Sequence, residues 1–437
     1  VTTAAPPPGR QDVLLRWARV ATLVLVALAP ILSGVKRGLP VPGFRISELL
    51  TVVLGGFVLA ACWRRTVARP GLLDGLALAY AVATLVLGSI DLLHRDAPFT
   101  SDNVSGLLGS LQFVVLYRAV EVTATTETLR REVLRALLLA SVPVAVLAIL
   151  QSLKIHALVD FGVHLTGADY RGVFADQGFV RATGTFPHWQ VAAGYFLVIG
   201  VLGFAALMRP GHAILGARVL TAVVVLDAIA LLRTVTTGAS TALAVTCVLL
   251  ALVSGRLRNP LVIVPAVLLV AVVIAGSVFA PRYREQYHAT TRGTQSHGIV
   301  PRTIVYRYDI WNDEYLPVLE HRWLAGFGPD IPPDAKWRYT ESVYVTMLLR
   351  GGVILLAIYL AFMARLLVEG RRLVRAGPAL EAVTGSATVA IVAVLAVTQV
   401  IATYFTTSGT PQVVWTLAAL VAASASAAGT GTAARRA

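Results

Sequence analysis

Long apolar runs separated by short polar breaks make up most of the chain. Runs of about 20 residues recur, each long enough to cross roughly 30 Å of hydrocarbon as a helix. They predict about twelve spans, near 17–33, 46–62, 72–90, 104–120, 133–153, 188–208, 213–232, 236–254, 260–280, 343–364, 383–405 and 411–428. Open sheet edges cannot face lipid, and the runs lack the two-residue alternation of a barrel strand. The expected fold class is all-α: a single polytopic membrane domain over 1–437.

Two polar stretches interrupt this series, at 154–187 and at 281–342, the larger one just before the tenth span. Loops of such length are functional or disordered, and their Trp, Tyr, Phe and Arg content argues against disorder. The basic residues set the side. Arg16 and Arg19, Arg64 and Arg65, Arg130 and Arg131, Arg209 and Arg218, Arg256 and Arg258, and Arg371 and Arg372 all fall in one set of loops. The short loops opposite carry acids such as Asp91, Asp96 and Asp102. This asymmetry places both termini in the cytoplasm and both long loops outside a plasma membrane. A Pro-rich tail and a basic flank precede the first run, without a small-residue cleavage site, so that run is expected as a retained helix.

Composition agrees. Charged residues make up 14% of the chain and mean hydropathy is +0.74. The formal charge of +14 comes largely from arginines at helix ends, where they orient the protein, so it does not mark a nucleic-acid binder. The Ala, Arg and Val bias suits a high-GC bacterial source. Cys62 and Cys247 suit no metal site and, at different depths, are expected to stay unbridged. No inverted repeat of the transporter kind is evident.

Chemistry concentrates in the larger loop. From Ile304, apolar or aromatic residues recur at Tyr308, Trp311, Tyr315, Val318 and Leu319, which predicts a short amphipathic helix. Arg307 and Trp311 are four apart and share a face. This helix either lies at the headgroups with Trp311 as an anchor or covers a cationic groove, since the arginine fork binds phosphate oxygens in a bidentate way. The glycines of "AGFGPD" (325–330) allow a tight turn near a ligand or another loop. Glu341 and Ser342 stand at the outer mouth of the tenth span. Thr340 or Ser342 would cap that helix, with Glu341 favouring its positive end; alternatively, Glu341 is a general base. Arg350 lies about 13 Å further along the helix and faces away from Glu341. A cation at that depth is functional or paired, with Asp227 as candidate partner. At the sixth span, His188 and Gln190 occupy the first turn, His188 being either a hydrogen-bonded boundary residue or a catalyst. Arg233, at the turn after the seventh span, snorkels or points into the site.

Three blocks carry a resemblance. "GTFPHWQVAAGYF" (184–196) is similar to a G-T-F-x-x-x-N-x-L-A/G-x-Y-L pattern, with Gln190 at the Asn position. "RYDIW" (307–311) followed by "LAGFGPD" (324–330) is similar to R-x-x-x-W, a linker and L-x-G-x-G. "ESVYVTMLLRGGVI" (341–354) is similar to H/D-N-x-Y-L-x-x-L-x-x-x-G. In this order, and with this topology, the chain resembles the O-antigen ligase and polymerase superfamily of GT-C membrane glycosyltransferases. Ligases of that family usually carry His where this chain has Glu341, and S-R-G-A where it reads "TTGA" (236–239), with Thr237 at the Arg position and Arg233 one turn upstream. The carboxylate at 341 points to the polymerase branch or to a distinct Gram-positive, actinobacterial-like branch.

The resemblance implies transfer of a glycan from a polyprenyl-diphosphate-linked donor to an acceptor hydroxyl at the outer face, without a metal or cofactor. Arg307, helped by Arg302, Arg233 and Arg181, would neutralise the departing diphosphate. Glu341, or else His188, would take the hydroxyl proton. Trp311, Trp323, Trp337, Gln190 and Tyr344 would line the glycan groove. The competing expectations are a carrier of polysaccharide or lipid-linked oligosaccharide, and a scaffold whose loop rests on anionic lipid. Few intramembrane charges, and polar residues gathered on one side rather than at the midplane, weigh against a carrier.

Overall fold

A computed structural model describes residues 10–39, 41–66, 71–96, 98–168, 180–209, 214–254, 302–329 and 340–434. Among them the long regular elements are helices: α1 Arg10–Leu32, α2 Ile46–Ala61, α3 Leu72–His94, α4 Ser101–Thr123, α5 Glu127–Ser152, α6 His156–Thr166, α7 Trp189–Leu207, α8 Ala217–Arg233, α9 Thr237–Val253, α10 Arg302–Ile310, α11 Val343–Ala376, α12 Ala379–Thr398 and α13 Thr410–Ala434. Among the described residues six helices are long and apolar enough to cross a membrane: Gln11–Leu32, α3, α5, α7, α12 and the Val343–Arg375 part of α11. The protein is a polytopic all-α membrane protein. α2 and α9 are shorter apolar helices; α4, α8 and α13 also occupy expected spans, and the span expected at 260–280 lies outside the described residues. Cys62 and Cys247 are buried and form no disulfide.

The centre is α7, which is buried on every side along most of its length, with α12 and α13 beside it. A helix apolar all round belongs in such a core. Trp415 of α13 is fully buried and stacks on Phe362 of α11, with ring centroids 4.6 Å apart. At the opposite end of the bundle from Glu341, Arg130 and Glu381 pair at 2.7 Å and tie α5 to α12.

The stretch 154–187 is not all loop, because α6 lies within it. Its eleven residues are too short to stand out as a span in a hydropathy window. The amphipathic helix of the larger loop begins at Arg302 and passes through a π-helical turn at Trp311–Tyr315. That turn takes an extra residue and rotates the apolar stripe. Tyr315 and Leu319 are therefore buried with Val345, Leu349 and Phe327, whereas Tyr308 is 62% exposed.

α11 is broken. Gly351 (φ −152°, ψ 17°) and Gly352 (φ +61°, ψ −160°) leave helical geometry, which frees backbone groups inside a span, where none can stay unpaired. The segment 323–328 supplies the partners. Phe327 N donates to Leu349 O (2.6 Å) and Gly328 N to Arg350 O (3.1 Å); Val353 N donates to Trp323 O (2.7 Å) and Ile354 N to Leu324 O (3.4 Å). Arg322 holds this segment to Asp91 of α3 at 2.9 Å, and Arg95 bridges Asp91 and Phe327 O. The "AGFGPD" turn thus approaches a helix break, not a loop.

The expected Arg350–Asp227 pair does not form. Asp227 Oδ2 accepts from Ser141 Oγ at 2.9 Å, between α8 and α5. Arg350 instead faces Arg37 and Tyr80, because α11 packs on α3.

Candidate functional site

Three segments converge at the start of α11. Arg307 and Trp311, one helical turn apart on α10 and its π-turn, reach two consecutive residues ahead of that helix. Arg307 Nη2 meets Glu341 Oε2 at 2.8 Å, and Trp311 Nε1 donates to Thr340 O at 2.8 Å. Gln190 of α7 approaches the same Glu341 oxygen at 3.5 Å. Among the described residues neither contact goes to Oε1.

Glu341 has φ +54°, a left-handed conformation uncommon for a residue with a side chain. Its neighbours hold it there. Val343 N donates to Gln399 O and Ala402 O, and Ser342 Oγ donates to Gln399 O. These bonds also correct the capping expectation. Ser342 is the N-cap residue of α11, but its side chain caps nothing. Thr340 Oγ1 turns to Ser342 O and to Thr346 Oγ1. Carbonyls of the turn after α12 do the capping, so the Glu341 carboxylate is not spent on the helix end. A conformation that must be enforced from outside marks a candidate functional residue.

The third segment carries Arg181. Gln151 of α5 clamps its chain, accepting from Thr183 N (3.2 Å) and Gly184 N (2.8 Å) and donating to Gly184 O (3.2 Å). Ala182 N donates to Arg233 O at 3.0 Å. The Arg181 guanidinium lies 4.6 Å over the Trp189 ring, a cation–π contact that fixes a buried cation. Arg181, Trp189, Gln190, Ile304, Arg307 and Tyr404 border one cavity of about 1160 Å³, which runs between α9 and α12 past Val245, Leu249 and Ala393 to Arg371 and Arg375. Cations thus stand at both ends of a mainly apolar passage.

Tyr404 and Trp189 were not singled out by sequence. Tyr404 is buried in a turn between α12 and α13, where burial pushes its phenol well up and Arg307 and Glu341 face it. Its hydroxyl therefore stays protonated. Its signal is a polar, aromatic "YFTTSG" between two apolar runs.

Other expected site residues have different places. His188 caps α7, its Nδ1 accepting from Gln190 N at 3.1 Å. The ring proton then sits on Nε2. Burial, with Arg181 nearby, pushes His188 down to about 4. Arg233 is exposed, does not border the cavity, and contributes its carbonyl. Tyr344 donates to Ala396 O at 2.6 Å and is locked to α12. Trp323 is 41% exposed and serves through its carbonyl. Arg302 opens α10. Trp337 lies outside the described residues.

The His188 cap has a pH signature. The unfolded chain binds a proton at His188 below about 6.5, whereas the folded ring resists until about 4. Across that window the unfolded state holds more protons, so stability falls as pH falls. His188→Asn keeps a capping acceptor without titrating. Its thermal-melt midpoint should decline less than that of the natural protein between about pH 6.5 and 4. Parallel declines would contradict a buried neutral ring.

A comparison with curated proteins finds no match. The stretch from α8 to the first part of α11 carries Arg307, Glu341 and the helix break, while Arg181, His188 and Gln190 precede it. That stretch, residues 222–360, matches the family model described as O-Antigen ligase, and the protein is a membrane-embedded protein with an O-antigen-ligase-like domain.

Proposed function

We propose that the protein is a metal-independent membrane glycosyltransferase, a polysaccharide ligase or polymerase. It would move a glycan from a polyprenyl-diphosphate-linked donor to an acceptor hydroxyl at the outer face of the plasma membrane. The observation that carries this reading is the Arg307–Glu341 contact at 2.8 Å, at the mouth of a large cavity with Arg181 beside it. In the same reading about twelve helices span the bilayer, both termini are cytoplasmic, and 154–187 and 281–342 are external.

The chemistry follows from the donor. Its diphosphate needs cations, and Arg307 and Arg181 supply them at one cavity end. The apolar passage suits a polyprenyl tail. As the diphosphate engages Arg307, it competes with Glu341 and releases that carboxylate. Glu341 then takes the acceptor's hydroxyl proton, the hydroxyl oxygen bonds to the anomeric carbon, and the bond from that carbon to the phosphate oxygen breaks. The electron pair leaves on the diphosphate, stabilised by Arg307. Tyr404 offers a further donor to the same region.

The test is release of polyprenyl diphosphate by the purified protein, given a polyprenyl-diphosphate oligosaccharide and hydroxyl acceptors. Absence of release with every acceptor, together with passage of labelled lipid across a vesicle bilayer, would replace the transferase with a carrier. Arg307→Lys keeps the charge and loses the fork. Turnover should fall by about a hundredfold, and unchanged turnover would reduce Arg307 to a headgroup anchor.

A further inference from the structure

A second group of cations lies apart from the cavity that holds Arg307. Arg350 sits on α11 immediately before the break at Gly351. Its side chain is exposed by surface area, yet it is set among protein groups on α3 and on the chain between α1 and α2, facing Tyr80 and Arg37. An exposed side chain so enclosed lines an interior recess. Among the described residues no hydrogen bond or ion pair reaches its guanidinium. Arg37 has one carboxylate partner, Glu48 at 3.3 Å, which also accepts from Arg45 N. Arg45 in turn faces Arg37 and donates to Ser408 Oγ at 3.1 Å. Arg37 and Arg45 therefore share one carboxylate, and Arg350 faces the first of them.

None of these arginines borders the larger cavity. The turn before α13 runs between the two. Tyr404 faces Arg307 and Glu341, Phe405 packs on Tyr80 with ring centroids 6.3 Å apart, and Ser408 meets Arg45. A cation deep in a membrane bundle, facing a second cation and lacking an anion, is costly in itself. An incoming oxyanion would remove that cost, and the arginine fork matches phosphate and carboxylate oxygens.

We propose that Arg350 and Arg37, with Arg45 behind them, bind an oxyanion, a phosphate or carboxylate, borne by the glycan acceptor. The assignment of that oxyanion to the acceptor rests on the glycosyl-transfer reading; the anion binding does not. Held by its charge on one side of the 404–408 turn, an acceptor presents a hydroxyl to Glu341 on the other. The recess then selects for charged acceptors, separately from donor recognition at Arg307.

The test is equilibrium binding of a short glucuronic-acid-bearing oligosaccharide to the full chain in phosphatidylcholine nanodiscs. Its neutral glucose counterpart and inorganic phosphate serve as comparison and competitor. The charged sugar should bind, phosphate should displace it, and the neutral sugar should bind at least about tenfold more weakly. Arg350→Gln and Arg37→Gln should each weaken binding of the charged sugar by about tenfold or more. Arg350→Lys should recover part of it, which separates lost charge from a folding defect. Wild-type affinity in Arg350→Gln, equal binding of the neutral sugar, or loss of binding in Arg307→Lys alone would overturn the site. Binding that appears only in phosphatidylglycerol nanodiscs would overturn it in favour of a lipid headgroup. Failure of the transferase reading shows elsewhere, as no release of polyprenyl diphosphate despite sugar binding.

Discussion

Glu341→Gln should lower turnover by about a thousandfold while donor affinity holds or rises. Gln has the same length and shape and suits the φ of +54° no worse than Glu. Its amide can still approach Gln190 and Arg307, but it cannot take a proton. The sign of the binding change follows from the ion pair. In the natural protein Arg307 is engaged with Glu341 at 2.8 Å, and an incoming diphosphate must displace that carboxylate. With Gln at this position the fork of Arg307 is no longer held by the Glu341 carboxylate, so the diphosphate has one competitor fewer. Single-turnover rates and donor Kd, measured on one preparation, separate the two effects. Near-normal turnover would remove Glu341 from proton transfer. A parallel loss of rate and donor affinity would make the carboxylate a structural brace for Arg307.

The helices were legible where one physical rule dominates. Apolar runs near membrane length become helices because lipid leaves the backbone no other partner, and α7 follows its expected span closely, whereas α12 ends at Thr398 and leaves the end of the run expected to 405 to the turn that carries Ala402 and Tyr404. Arg307 and Trp311 were legible as a pair because four residues make one helical turn. Features set by contacts distant in sequence were not. The break in α11 is averaged away in a window rich in Leu, Val and Ile, and its partners at 323–328 pair through backbone alone. Gln151 looks like an ordinary polar residue ending a span, yet it clamps the segment that leads to Arg181. Ser342 carries an N-cap signature, but the carbonyls of Gln399 and Ala402 arrive first. Nothing local reveals that Tyr344 donates to the Ala396 carbonyl. The Asp227 partner for Arg350 failed for a related reason: similar depth does not place two helices side by side.

Gly352→Ala tests whether the helix break and the site are one unit. At φ +61° and ψ −160° the backbone occupies a region essentially reserved for glycine. An added Cβ would lie 2.2 Å from Leu324 C and O and 2.4 Å from Trp323 O. Those are backbone atoms, so the segment 323–328 must move. Moving it breaks the bonds from Val353 N and Ile354 N and strains those to Leu349 O and Arg350 O, leaving polar groups unpaired inside a span. The cost should be about 3–5 kcal/mol. Gly351→Ala is the control. Its φ of −152° suits any residue, and its Cβ would crowd the Leu355 side chain at 2.5 Å rather than backbone, so it carries a steric cost without the backbone strain. Phe327 shares a buried cluster with Tyr315, Leu319 and Leu349, so releasing 323–328 also loosens α10 and carries Arg307 away from Glu341. Gly352→Ala should therefore melt well below Gly351→Ala, expose 302–329 to protease at temperatures where the other helices stay protected, and lose transfer there. A variant that melts normally and resists cleavage would uncouple the break from the site. One that unfolds as a whole without early cleavage of 302–329 would make the break a determinant of the entire bundle.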